Sequence, residues 1–122
     1  MILVDTSAWI DHLRDSNSEL SKILIANLVL IHPFVIGELA CGSLQHRQEF
    51  LRLLKNLPSL PTAGNETVLL FIEQYKLMGR GIGYIDAHLL AAVDMQSSVR
   101  LWTRDKRLRR LAELLELDAG ID

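Results

Sequence analysis

Short apolar runs alternate along this chain with segments whose hydrophobic residues recur at helical spacing, a pattern that predicts an α/β protein with a parallel sheet. Met1-Ile2-Leu3-Val4 is short enough for a buried strand, and Thr6-Ser7 behind it can start a helix. Ser16 with Glu19 reads as a capping box that opens a helix with Leu20, Ile23 and Leu24 in its core stripe. Leu28 to His32 supplies a second strand. Pro33 suits the first turn of a helix running through Glu38 to Cys41, and Gly42 is its stop signal.

Phe50, Leu53, Leu54 and Leu57 follow i, i+3, i+4, i+7 spacing, as do Val68, Phe71, Ile72 and Tyr75, so two amphipathic helices are expected. Between them, Pro58-Ser59-Leu60-Pro61 leaves room for one short extended segment, because proline cannot sit in a central strand. Gly79-Arg80-Gly81-Ile82-Gly83 is a flexible loop leading into a helix from about Tyr84 to Gln96, with Ile85, Leu89, Ala92 and Val93 inward. Val99 to Thr103 is a further strand. The last helix buries Leu108, Leu111, Ala112 and Leu115 and turns Lys106, Arg109 and Glu113 outward, with Arg109 and Glu113 spaced for a weak pair.

Composition narrows the class. A chain of 122 residues, 49% hydrophobic, fits one domain over residues 1–122 with a sizeable core. No apolar stretch reaches the ~20 residues needed to span a bilayer, and the N-terminal run lacks the basic flank of a signal peptide, so a soluble cytoplasmic protein is expected. Cys41 stands alone, which excludes an intrachain disulfide and a thiolate zinc cluster. His12, His32, His46 and His88 show no zinc spacing and read as surface or packing residues, with His32 at the end of the second strand. Trp9 and Trp102 read as core or interface residues rather than base-stacking platforms. The net charge of −2, from 15 acidic and 13 basic side chains, gives no overall pull toward nucleic acid. Arg100, Arg104, Lys106, Arg107, Arg109 and Arg110 nevertheless crowd one region, either as a phosphate-holding patch or as a solvated helix face.

Four acids stand at the ends of these elements. Asp5 closes the first strand and Asp105 follows the strand at Val99–Thr103, which in an open α/β sheet puts both at the carboxyl ends where ligands bind. Asp86 falls in the first turn of its helix, and Glu38 lies about one turn into its own among apolar neighbours that predict partial burial. Singly, each has an ordinary role as a helix cap, a dipole partner or a solvated side chain. Together in one pocket, four carboxylates repel and raise one another's pKa values unless a cation joins them. Magnesium or manganese suits such hard oxygen donors and can activate a water for phosphodiester hydrolysis. Asp5 and Asp86 are therefore the leading candidates for metal ligands, and Asp105 is a further direct or water-mediated one. Glu38 is the candidate to position or deprotonate the water, the roles of Asp105 and Glu38 being interchangeable on the sequence.

Val4-Asp5-Thr6-Ser7, Ile36-Gly37-Glu38-Leu39-Ala40-Cys41-Gly42, Ile85-Asp86-Ala87-His88-Leu89-Leu90-Ala91-Ala92 and Thr103-Arg104-Asp105 occur in the order found in PIN domains. From Ile2 to about Leu115 the chain resembles a VapC-type toxin ribonuclease. The resemblance implies a three-layer α/β/α PIN-like domain with a mostly parallel five-stranded sheet, and catalytic acids at Asp5, Glu38, Asp86 and Asp105 with Thr6, Ser7 and Thr103 as small polar companions. It also implies an Mg2+- or Mn2+-dependent endoribonuclease acting on structured RNA such as tRNA or rRNA, as the toxin of a toxin–antitoxin pair. A homodimer and an antitoxin protein whose C-terminal segment covers the active site belong to the same expectation. Leu108 departs from the pattern, since the family's last motif often carries an aromatic there. Apolar residues on the helices at Leu20 to Ala26 and Phe50 to Leu57 are candidates for the dimer or antitoxin surface. Two other functions are weighed beside this one. A phosphatase with Asp5 as nucleophile lacks the nearby second aspartate of haloacid-dehalogenase-like enzymes, and a non-catalytic RNA- or protein-binding module of PIN-like fold would bind through Arg100 to Arg110.

Overall fold

The computed structural model describes residues 1–122 and places three short strands at its centre: β1 (Ile2–Val4), β2 (Val29–Leu30) and β3 (Arg100–Trp102). They are parallel and ordered β2-β1-β3. Leu3 and Val4 are fully buried although successive strand residues face opposite sides of a sheet, and the same holds for Leu101 and Trp102. A parallel sheet buried on both faces carries helices on both, which gives the three-layer α/β/α arrangement.

The expected five strands are reduced to three strands and one parallel bridge at each edge, Ile31 to Ser59 beyond β2 and Leu101 to Asp118 beyond β3. At the first edge Pro58 O accepts from Ile31 N and Leu60 N donates to Ile31 O, both at 2.9 Å, but the flanking prolines have no N–H to lengthen the ladder. At the second, Leu117 and Ala119 bond either side of Leu101 before the chain turns at Gly120, where φ is 74°.

Seven helices cover this sheet: α1 (Thr6–Asp15), α2 (Ser18–Ile25), α3 (Pro33–Ala40), α4 (Arg47–Lys55), α5 (Asn65–Tyr75), α6 (Tyr84–Asp94) and α7 (Lys106–Leu114). Several boundaries depart from the sequence expectation. The cap of α2 is Asn17, whose Oδ1 accepts from Leu20 N at 3.0 Å, because Ser16 is drawn into the left-handed conformation that closes α1. His32 leaves the second strand to cap α3, with Nδ1 accepting from Phe34 N at 3.0 Å. Leu53 is 60% exposed, and only Leu54 on α4 is fully buried. The helix expected to reach Gln96 stops at Asp94, and its residues Ala87 to Val93 are all buried because α5 and β3 both pack against it. Arg109 reaches Asp122 at 3.1 Å and Asp118 at 3.8 Å rather than Glu113, since the chain's return to the sheet edge brings those acids closer.

Candidate active site

From β1 the chain crosses to β2 on one side and later to β3 on the other, so the topological switch point lies at the carboxyl ends of β1 and β3. Asp5 sits there, 5% exposed, with its N–H donating to Trp102 O at 2.9 Å and so continuing the sheet. It occupies the N-cap position of α1 but its carboxylate caps nothing. Instead Oδ2 accepts from Ser7 Oγ at 2.8 Å and from Thr103 Oγ1 at 2.7 Å. Those hydroxyls are themselves oriented by backbone amides, Arg104 N donating to Ser7 Oγ at 2.9 Å and Asp105 N to Thr103 Oγ1 at 3.1 Å. Each hydroxyl has one proton, so with both given to Asp5 the 3.1 Å approach of the two oxygens is a contact rather than a bond.

The other three acids are held by one oxygen each. Asp105 is a true N-cap, with Oδ1 accepting from Arg107 N at 2.9 Å and Leu108 N at 3.1 Å. Asp86 Oδ2 accepts from Gly83 N at 3.1 Å and thereby closes the first turn of α6. Glu38 Oε1 accepts from Thr6 Oγ1 at 2.7 Å, and the side chain is exposed where partial burial was expected. The cap roles weighed against chemistry are thus real for Asp86 and Asp105 and absent for Asp5. None of the four takes part in an ion pair. In every case the protein anchors one carboxylate oxygen and leaves the second without a protein donor.

This concentration of charge is felt at Asp86, whose pKa is raised by burial first and by Asp5, Asp105 and Glu38 besides, against the opposing bond from Gly83 N–H. The structure therefore brings all four predicted acids into one electrostatic neighbourhood. No three acids or histidines stand close enough to hold an ion by direct contact alone. That fits a small hard cation which keeps several waters and takes one or two carboxylates directly. Around the acids lie features that residue patterns did not reveal. A Cβ on Gly81, where φ is +81°, would fall 2.7 Å from Arg107 Cδ and 3.1 Å from Nη1, so the bare glycine lets Arg107 lie across the loop ahead of Asp86. His32 and His88 are both buried, with His32 Nε2 and both nitrogens of His88 lacking a protein partner. Burial lowers the pKa of each, that of His32 to about 4 with a further contribution from His88. Sequence patterns marked the glycines only as a flexible loop and the histidines only as surface or packing residues, with no signal for these contacts.

The PIN domain family matches residues 2–114. This chain belongs to that family. The PIN domain is also 47% identical over 109 residues, covering 89% of this chain and 88% of the relative, to Ribonuclease VapC32 of Mycobacterium tuberculosis, in strain CDC 1551 / Oshkosh and in strain ATCC 25618 / H37Rv. It is a VapC-type PIN ribonuclease. PIN ribonucleases generally use a divalent metal, in keeping with the oxygen donors of this site. No helix of this PIN domain is long and apolar enough to cross a membrane.

Proposed function

We propose that Asp5, Asp86 and Asp105 hold Mg2+ or Mn2+, in part through the ion's own waters, and that Glu38 directs the attacking water, making the chain a metal-dependent endoribonuclease toxin acting on structured RNA such as tRNA or rRNA. The observation that carries this reading is the set of four acids at one sheet rim, each anchored by one oxygen and none paired with a cation. A bound divalent ion supplies a water of lowered pKa and neutralises charge on the phosphate oxygens. The protein's part is positional. Ser7 and Thr103 fix Asp5, and the N-terminal amides of α7 fix Asp105. Thr6 holds Glu38 so that its second oxygen can take the proton as water oxygen bonds to phosphorus and the bond to the leaving sugar oxygen breaks. Arg104, Lys106 and Arg107, exposed beside Asp105, offset the acids' charge and receive the RNA backbone.

The chain acts as one domain over residues 1–122, in the cytoplasm, as a homodimer and with an antitoxin protein whose C-terminal segment covers the active site. A groove of about 560 Å³ running beside Glu38, lined by Ile10, Leu13, Leu39 and Leu44, supports an antitoxin segment reaching the acids. Ile25 and Leu53, 83% and 60% exposed, support the expectation that α2 and α4 supply an intermolecular surface. Sequencing RNA ends after brief induction of wild-type and Asp5→Asn chains tests activity and substrate at once. New ends at a small set of sites in the wild type, reduced at least ~100-fold in the variant, are expected for loss of a metal ligand. Equal cleavage by both, in preparations free of contaminating nuclease, rejects the assignment.

A further inference from the structure

The chain has three Phe, two Trp and two Tyr, yet only Phe34 and Tyr84 are exposed, at 38% and 44%. They are not scattered. Both pack their rings against the imidazole of His88, Phe34 at 4.8 Å between centroids and 69° between planes, Tyr84 at 4.6 Å and 83°. His88 is buried and touches both exposed rings, and His32 also packs against Phe34, at 5.2 Å between centroids. Tyr84 Oη donates to Asn65 Oδ1 at 3.0 Å, which fixes the second ring from α5. The same two residues lie on the helices that carry Glu38 and Asp86. Tyr84 opens α6 two positions before Asp86, and Phe34 lies one turn before Glu38 on the same face of α3.

We infer that Phe34 and Tyr84 form a stacking platform for an unpaired base of the RNA, next to the phosphodiester to be cleaved. The inference rests on the nuclease function proposed above and adds how substrate is gripped. A phosphodiester entering four carboxylates meets repulsion, so affinity gained on the neutral bases is not opposed by the site's charge. Every base offers a π face, and rings whose planes are already fixed lose little freedom on stacking. Such a base must be splayed out of a helix, which places the target in a loop, bulge or end. A second copy of the chain is a poorer occupant, because two ring faces fall far short of the ~800 Å² that each partner contributes to a standard interface.

The test compares binding of two fluorescent probes to Asp5→Asn protein in millimolar magnesium: a random-sequence single-stranded RNA dodecamer and an abasic ribose-phosphate chain of the same length. The base-containing probe is expected to bind ~5- to ~140-fold more tightly for one stacked base. Adding Phe34→Leu and Tyr84→Leu, which keep apolar volume but remove the π faces, is expected to abolish that preference while leaving affinity for the abasic probe unchanged. Phe34→Trp and Tyr84→Phe should retain it, and melting temperatures verify that each variant is folded. A preference that survives the double leucine change overturns the platform. So does a sedimentation profile in which a wild-type dimer falls apart in that variant, since the rings then belong to a second copy. Cleavage by the Asp5→Asn parent, measured alongside, reports separately on the nuclease function: its loss with base preference unchanged in the leucine variant sinks the platform alone.

Discussion

His32 caps α3 through Nδ1 with none of its surface exposed, so its neutral ring fits where a charged one does not. Burial, and then His88, hold its pKa near 4 instead of 6.5. The unfolded chain takes up the proton first as pH drops, so this contribution to stability is complete above pH 6.5 and is lost as pH falls through 6.5 toward 4. Its ceiling is about 3 kcal/mol. Thermal melts across that window should show a steep loss, made shallower but not flat in His32→Asn, where the amide oxygen can still cap α3 and His88 still titrates. Identical slopes in the two proteins would show that His32 is not the group responsible. The acids follow a different rule at the same scale: hydroxyls and amides that do not ionise near neutrality hold them in place.

At the scale of elements, the contact between the Gly79–Gly83 loop and α7 matters most, because Arg107 rests where any side chain on Gly81 would stand. Arg107→Gln is expected to weaken RNA binding across sequences and to lower the slope of log affinity against log salt by about one. Gly81→Ala should have a similar direction with an added stability cost on the order of 1 kcal/mol, as alanine is strained at positive φ. An unchanged salt slope in Arg107→Gln would remove this residue from the phosphate path. How far these elements could be read in advance depended on the range of the forces. Helical stripes and apolar strand runs are local, so α5, α6, β1 and β3 emerged nearly intact. Asn17 prevailed over Ser16 only because Ser16 had to close α1, and Arg109 ignored Glu113 because the tail delivered Asp118 and Asp122. The four acids were visible as element ends and family motifs, while the tie from Thr103 to Asp5 is a product of the sheet and has no local signature.

For the whole molecule, the gathered charge sets a balance between stability and function. The pKa of Asp86 is raised in the fold, so its favourable contribution is complete below the unfolded value of 3.8 and is lost as pH rises through the folded value. The ionised form of Asp86 is thus disfavoured in metal-free protein. Asp86→Asn, which keeps an acceptor for Gly83 N–H, should therefore melt higher than wild type in chelator. Magnesium or manganese should raise the wild-type melting temperature by several degrees, since saturation to 100 times Kd contributes about 2.7 kcal/mol, and should move the variant less. A variant that melts lower in chelator and responds equally to metal would contradict a shared cation site.

The bond from Thr103 to Asp5 joins positions 98 residues apart; the Asp105 amide orients Thr103, and the Arg104 amide orients Ser7, the other hydroxyl that holds Asp5. Chains are synthesised from the N-terminus, so the first acid to leave the ribosome waits for the last strand before it can be set in place. If Asp5 is the metal ligand proposed above, a nascent or prematurely terminated chain that lacks β3 should not cleave RNA, and activity should begin only once translation of its own message is nearly finished.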